Sequence, residues 1–121
     1  MKYTKKKISE NKPIISIITP FFNAEEYIEE TAMSVLKQTF ENFEWIIVDD
    51  GSSKQAKEKL KQIEKLDKRI KIFNNSGEPK GPAQARDFGI SNSAKSSKYI
   101  VFLDADDMYN ITFLECAFWT L

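Results

Sequence analysis

The chain has 121 residues, 41% of them hydrophobic and 30% charged, and its 18 basic residues equal its 18 acidic ones. This composition is typical of one globular domain and argues against nucleic acid as a partner, because nucleic-acid-binding domains usually carry a basic face. Histidine is absent and cysteine occurs once, which excludes an imidazole base, a histidine-ligated zinc ion and an internal disulfide within this sequence.

Residues 1–13 are predicted to form a flexible basic tail, with the domain proper at 14–121. Five lysines fall in this tail without the apolar core of a signal peptide, so a solvated tail is favoured over a membrane-surface patch. The longest apolar stretch, 14–22, is far shorter than the roughly 20 residues of a membrane span. A single cysteine and no span are typical of a cytoplasmic protein.

The β-branched run at 14–19 predicts a first strand that is covered on both faces, and Pro20 ends it. Asn23 and Glu26 have the spacing of a capping box, so a helix is expected to begin at Asn23. Apolar residues at helical spacing continue as far as Leu36, which gives this helix one buried face.

A second strand is predicted at 43–48, and it ends in two carboxylates, Asp49 and Asp50. Residues 51–53 supply a turn and a helix cap, and the following helix is expected to turn four residues inward: Ala56, Leu60, Ile63 and Leu66. The short alternating stretch 69–73 predicts a third strand near the edge of the sheet.

A third helix is predicted from Gly81 and Pro82 to about Ser93, followed by a fourth strand at 99–103. Strands that alternate with helices imply a parallel sheet with helices on both faces, and ligands then bind beyond the carboxyl ends of the strands. The segment 110–121 is a helix candidate with much aromatic surface and little to pack against. Either the chain is a fragment or this helix packs against a partner, such as a second copy.

The apolar fourth strand ends in Asp104, Asp106 and Asp107, and so many like charges need a counter-ion. A divalent metal bound to a phosphorylated ligand is one interpretation, and an acidic turn that caps the next helix is the other. No glycine-rich phosphate loop is present. Asp50 either accepts a hydrogen bond from an imide-like base nitrogen or caps a helix, and Phe22 either stacks on a base or packs in the core.

Four segments, in this order and spacing, resemble motifs of the family 2 glycosyltransferases: ISIITPFFN (15–23), VDDGS (48–52), GPAQARDFGI (81–90) and FLDADD (102–107). The resemblance covers about 14–114. It implies an α/β domain of the GT-A (Rossmann-like) fold with a mainly parallel sheet, and an inverting enzyme of the hexosyltransferase class. It also implies a donor that is a nucleoside-diphosphate sugar, commonly a UDP-sugar, and a saccharide or glycolipid acceptor in polysaccharide biosynthesis.

The resemblance assigns roles to seven residues of this chain. Pro20 and Phe22 would line the nucleoside pocket, Asp50 would bind the base, Lys80 and Arg86 would flank the nucleotide, Asp104 would contact the ribose or sugar, and Asp106 would coordinate Mg²⁺ or Mn²⁺. Asp107 would be an additional acid. Two positions depart from the family pattern, because Phe22 replaces a tyrosine and Asp87 replaces an asparagine.

Family members continue well beyond this length and carry the acceptor site and the catalytic base in the later part. We therefore expect an N-terminal, donor-binding portion without a catalytic base, peripheral to the inner face of the membrane at most, and with little or no transfer activity alone. The alternatives are a nucleotide- or metal-binding fragment, an oligomerising module without catalysis, and a phosphoryl-transfer domain. The last would need acids after the first strand, where this chain has Thr19, Pro20 and Phe22.

Overall fold

Four parallel strands form one sheet in the order β3-β2-β1-β4. The computed structural model describes residues 12–75 and 78–120, so most of the predicted basic tail lies outside the described residues. The strands are β1 (Ile15–Phe21), β2 (Phe43–Asp49), β3 (Ile70–Asn74) and β4 (Tyr99–Phe102). The predicted parallel sheet is confirmed, and so is the edge position of β3.

Helices cover both faces of this sheet, as the alternation predicted. They are α1 (Ile28–Leu36), α2 (Lys54–Glu64), α3 (Pro82–Ser91) and α4 (Phe113–Thr120). Side chains of a strand alternate between faces, and they divide the core into two clusters. Ile15, Ile17 and Phe21 of β1 belong to the cluster that includes buried residues of α1, α2 and α4, whereas Ile18 packs in the cluster with Ala85 of α3.

Helix α3 lies close to the sheet because of one glycine. A Cβ atom added at Gly89 would come within 2.6 Å of Cγ2 of Ile18 and 3.3 Å of Cγ2 of Val48. Both are side chains of the central strands, which have little room to move in a packed core. Gly89 therefore sets the distance between α3 and the sheet.

A buried carboxylate lies on the α3 side of the sheet. Glu44 of β2 is 2% exposed and accepts hydrogen bonds from Ser16 Oγ (2.6 Å), the Ala94 amide (2.7 Å) and Lys71 Nζ (2.9 Å). Burial acts to raise the pKa of Glu44, but these hydrogen bonds outweigh it, so that the pKa lies below its ordinary value. This network joins three strands to the loop before β4.

The order of the strands reverses direction at β1. From β1 the chain builds β2 and β3 on one side and then returns to place β4 on the other side. In open parallel sheets a crevice forms at such a reversal, beyond the carboxyl ends of the strands. The carboxyl ends of β1 and β4 define this position here.

Three local predictions were wrong. Strand β1 continues through Pro20 to Phe21 and does not end at the proline, because β4 pairs with β1 only as far as Ile18 and so needs no N–H from Pro20. Helix α1 begins at Ile28, with Tyr27 at its N-cap and no side-chain cap, whereas Asn23 has a left-handed φ of 50° and bonds elsewhere. Leu66 is 52% exposed because α2 ends at Glu64, before that position. The cap predicted for α2 is confirmed, since Ser53 Oγ accepts a hydrogen bond from the Ala56 amide at 3.3 Å.

Helix α4 finds more to pack against than its sequence suggested. Leu114 is fully buried, and the Phe118 ring lies 5.0 Å from the Phe40 ring and 6.3 Å from the Tyr99 ring. Trp119, in contrast, is 74% exposed. Among the helices of residues 12–75 and 78–120, none is sufficiently long and apolar to cross a bilayer.

Candidate functional site

A cavity of about 380 Å³ lies where the topology places a ligand. Five of the residues singled out in the sequence line it together: Pro20, Phe22, Asp50, Asp104 and Asp106. Asn23, Tyr27 and Pro82 complete much of the wall. A larger cavity of about 700 Å³ lies beside Phe43 and Arg69, at the opposite edge of the sheet, where parallel α/β sheets do not bind ligands.

The end of β1 provides an exposed aromatic ring to this cavity. Phe21 is fully buried in the core, while Phe22 is 52% exposed, so the core-packing interpretation of Phe22 is wrong. Asn23 fixes this end of the strand, because its Oδ1 accepts a hydrogen bond from the Ser53 amide (2.8 Å) and its amide donates to Ser52 Oγ (2.9 Å). The ring of Phe22 is thereby held at the wall of the cavity.

Asp50 does not cap a helix, which makes that interpretation wrong as well. It is 4% exposed and accepts three hydrogen bonds, from Asn75 Nδ2 and the Lys80 amide at Oδ1 and from the Gly81 amide at Oδ2. Burial acts to raise the pKa of Asp50, but these three donors lower it further than burial raises it. A carboxylate has about four acceptor positions, and donors from the described part of the chain occupy three of them, which leaves one on Oδ2.

The acids after β4 form a β-turn rather than a helix cap. The Asp107 amide donates to the Asp104 carbonyl at 3.1 Å, and α4 begins later, at Phe113, so the capping interpretation is wrong. The carboxylates of Asp104, Asp106 and Asp107 are exposed, and one oxygen atom of each lies within 4.8 Å of one oxygen atom of each of the other two. Three hard oxygen donors at this separation fit a Mg²⁺ or Mn²⁺ ion, which would relieve their mutual repulsion.

Lys80 and Arg86 lie beside the cavity and do not line it. Arg86 Nη2 is 3.4 Å from Asp104 Oδ1, and its guanidinium lies 5.7 Å from the centre of the Phe102 ring. The side chain of Lys80 lines a separate cavity of about 440 Å³ that also includes Asp87. The nucleotide-flanking roles of Lys80 and Arg86 remain predictions.

Sequence reasoning missed the residues that hold the acidic turn. Thr31 and Ser34 of α1, and Gln38 just after its end, all hydrogen-bond to the segment 105–114. The available signal was the spacing of Thr31 and Ser34, because polar residues at i and i+3 share one face of a helix. Thr31 is 1% and Gln38 is 5% exposed.

Tyr109 was also missed. Its hydroxyl donates to the Phe102 carbonyl at 2.9 Å, at the end of β4. Burial, together with the nearby carboxylates of Asp107 and Asp104, raises the pKa of Tyr109. The phenol therefore remains a neutral donor that holds the start of the acidic turn.

Comparison with known sequences gives a family match across the site. The profile of the family described as Glycosyl transferase family 2 matches residues 16–117. Over 102 residues the chain is 40% identical to the Escherichia coli UDP-Glc:alpha-D-GlcNAc-diphosphoundecaprenol beta-1,3-glucosyltransferase WfgD, and the match covers 84% of this chain and 38% of WfgD. The matches cover between 13% and 40% of the length of these curated relatives, so the chain spans less than half of each.

Solved structures share the sheet and its helices. Staphylococcus aureus TarS 1–349 in complex with UDP-GlcNAc superimposes with a TM-score of 0.78 at 28% identity, over 87% of this chain and 30% of TarS. GalNAc-T7, solved with UDP, GalNAc and Mn²⁺, gives a TM-score of 0.68 at 32% identity, over 80% of this chain and 19% of that one. The expected GT-A fold is thereby confirmed.

Proposed function

The chain belongs to glycosyl transferase family 2, and on that premise we propose that it binds the nucleoside-diphosphate sugar, with UDP as the nucleotide, for an inverting hexosyl transfer. The observation that carries the proposal is the convergence of Phe22, Asp50 and the acidic turn on one crevice. TarS with UDP-GlcNAc and GalNAc-T7 with UDP support a uridine nucleotide as the ligand.

The base and the diphosphate bind to different groups, which lie at the two ends of the crevice. Phe22 offers an exposed ring on which a base stacks, a contact of about 1–3 kcal/mol. Asp50, which is ionised and held by three donors, accepts the imide N–H of uracil at its remaining position on Oδ2. A base without that N–H leaves a buried carboxylate position unpaired and binds less well.

Asp106, with Asp104 beside it, would hold the divalent metal at the other end of the crevice, and Asp104 would also reach the ribose or the sugar. A Mg²⁺ or Mn²⁺ ion held there would supply positive charge to neutralise the diphosphate. Mn²⁺ in the GalNAc-T7 structure supports this choice of cation. Arg86, 3.4 Å from Asp104, adds positive charge beside the phosphates. Lys80 lies on the loop before α3, next to Asp50, and flanks the nucleotide on that side.

In the transfer, an oxygen of the acceptor forms a bond to the anomeric carbon while the bond from that carbon to the diphosphate breaks, with inversion. A base takes the proton of the acceptor hydroxyl. We assign none of residues 12–75 and 78–120 to that base. The isolated chain is accordingly expected to bind the donor and to transfer little or nothing.

The acceptor is a saccharide or a glycolipid in polysaccharide synthesis, acted on at the cytoplasmic side of the membrane. WfgD, whose acceptor is a sugar diphosphoundecaprenol, supports this class. A lipid-linked acceptor would bring the protein to the inner membrane surface.

Calorimetric titration of UDP with and without Mn²⁺ tests the donor site. We expect Mn²⁺ to tighten binding by wild type, and Asp106→Asn to lose this enhancement while its metal-free binding is unchanged. The matched control is Asp67→Asn, which removes a carboxylate on the far side of the sheet, paired there with Arg69 at 2.9 Å. Equal binding with and without metal by wild type would refute the proposal, as would full enhancement in Asp106→Asn.

The exposed indole of α4 supports a second proposal, self-association of two copies through this helix. Trp119 is 74% exposed next to Phe118. Sedimentation of wild type should then depend on concentration and that of Trp119→Ser should not. A wild type that remains monomeric at all concentrations would contradict this proposal without affecting the first.

A further inference from the structure

We infer that Thr31 is a positioning residue of the donor site, because its hydroxyl fixes the turn that carries Asp104 and Asp106. The inference rests on the proposed function, since it concerns the metal-binding carboxylates. Thr31 lies in the middle of α1 and is 1% exposed, so it has no access to a ligand of its own. Its effect can only pass through the groups that it contacts.

Those groups are backbone carbonyls on both sides of Asp106. Thr31 Oγ1 lies 2.7 Å from the Ala105 carbonyl oxygen and 2.8 Å from that of Asp107, and it is also 3.2 Å from the Tyr27 carbonyl of its own helix. The two shorter contacts join residues 74 and 76 positions apart in the sequence. A side-chain hydroxyl usually bonds within its helix, whereas this one is directed at the turn.

One proton serves both carbonyls. A hydroxyl has a single O–H donor, so Thr31 shares its proton between the oxygens of Ala105 and Asp107. The Ala105 carbonyl belongs to the peptide group before Asp106, and the Asp107 carbonyl belongs to the peptide group after Asp107. Holding both therefore restricts the backbone dihedrals of Asp106 and Asp107 together. The direction of the Cα–Cβ bond of Asp106, and with it the carboxylate, follows from those dihedrals.

Asp106 depends on this backbone contact more than its neighbour does. The carboxylate of Asp104 lies 3.4 Å from Arg86, but no hydrogen bond from the described residues holds the carboxylate of Asp106. Residues that orient metal ligands without touching the metal typically change metal affinity by about 10–100-fold when they are altered. Thr31 meets that description for Asp106.

Two more side chains, Ser34 of α1 and Gln38 just beyond its end, hold the segment that follows the turn. Ser34 Oγ accepts a hydrogen bond from the Tyr109 amide at 3.2 Å. Gln38 donates to the Asn110 carbonyl at 2.6 Å and accepts from the Leu114 amide at 2.9 Å. These contacts lie progressively farther from the carboxylates, so we expect the effect on metal binding to be largest at Thr31 and smaller at Ser34.

The variant Thr31→Val keeps the shape of the side chain and removes the donor. Its matched control is Thr19→Val, which also removes one buried hydroxyl, the acceptor of Trp45 Nε1 at 2.8 Å, on a fully buried residue. Thr31→Ser keeps the hydroxyl and serves as the rescue. If Thr31→Val does not fold, Ser34→Ala takes its place, because Ser34 is only partly buried.

The readouts are Mn²⁺ affinity by electron paramagnetic resonance and UDP affinity with and without Mn²⁺ by calorimetry. We expect Thr31→Val to bind Mn²⁺ about 10-fold more weakly, with unchanged metal-free UDP affinity. Thr19→Val should lose thermal stability without losing Mn²⁺ affinity, and Thr31→Ser should bind Mn²⁺ as wild type does. If Ser34→Ala must replace Thr31→Val, about threefold weaker Mn²⁺ binding is expected, and wild-type binding would overturn the inference.

Two outcomes would overturn the inference about Thr31 without affecting the proposed function. A wild type that binds UDP more tightly with Mn²⁺, alongside a Thr31→Val variant with wild-type Mn²⁺ affinity, would overturn the inference alone. The inference would fall in the same way if Thr19→Val lost as much Mn²⁺ affinity as Thr31→Val. A wild type without any metal-dependent binding would overturn the proposed function and the inference together.

Discussion

Replacing Asp50 with asparagine removes one charge and exchanges one oxygen for an amide nitrogen. Asp50 is 4% exposed and accepts hydrogen bonds from Asn75, Lys80 and Gly81. The loop that leads into α3 is therefore attached to the end of β2 through this carboxylate. We expect Asp50→Asn to loosen that attachment and to destabilise the protein.

The size of the effect follows from the hydrogen bonds. If the oxygen of the new amide keeps the two bonds at Oδ1, its NH₂ group faces the Gly81 amide, which is 2.9 Å from Oδ2 in the native protein. Two charge-assisted bonds become neutral, at about 1 kcal/mol each, and a buried donor is left without a partner, at about 1–3 kcal/mol. The expected loss is about 3–5 kcal/mol, which is a large fraction of the stability of a small domain.

Urea denaturation of wild type and Asp50→Asn measures this loss, and Asp87→Asn, an exposed aspartate on α3, is the control. The pKa of folded Asp50 is lowered from 3.8, so its carboxylate contributes stability above that pH and loses it as the pH falls through the lowered pKa. The difference between wild type and Asp50→Asn should therefore be full at pH 7 and at pH 5 and shrink below pH 3.8. A variant as stable as the Asp87→Asn control, or a difference that does not change with pH, would refute this reasoning.

Three further stability predictions use the same measurement. Glu44→Gln should destabilise the protein by about 2–4 kcal/mol. The 2% exposed side chain loses its charge, and the new NH₂ group points at a group that donated a hydrogen bond to the native carboxylate. Wild-type stability would contradict this. Gly89→Ala should destabilise by about 1–3 kcal/mol despite alanine's higher helix propensity, because the new methyl meets Ile18 at 2.6 Å, and a neutral effect would show that α3 can move away. Phe118→Ala should cost about 3 kcal/mol and Trp119→Ser less than about 0.5 kcal/mol, and equal effects would mean that α4 packs differently.

Strands β1 and β2 were predictable because each is a buried and mostly apolar run, whereas β3 and β4 are shorter and only partly buried. A strand covered on both faces has to be apolar nearly throughout, so β1 and β2 were recognisable without any knowledge of their partners. The carboxylates after β2 and β4 were equally visible. The rule that parallel strands place their carboxyl ends at one edge then predicted a site there, and the cavity of about 380 Å³ lies at that edge.

The helix starts were less predictable, because one side chain can have several partners. Asn23 has the local pattern of a cap, but the structure directs it to the Ser53 amide, 30 residues away. Asp49 and Asp50 are adjacent and look alike in the sequence. Asp49 pairs with Lys57 of α2 at 2.7 Å, whereas Asp50 turns to the loop before α3 and to the crevice.

The sequence by itself determined the parallel sheet, the exposed position of the acidic turn after β4 and the family. These depend on local runs of apolar residues and on the order of the motifs along the chain. Only the tertiary structure decided which acid faces the crevice and what holds the turn. Thr31 and the turn are more than 70 residues apart, and a hydroxyl on a helix carries no local sign of a distant carbonyl. Such contacts arise from the packing of α1 against the segment after β4, which only the folded chain brings together.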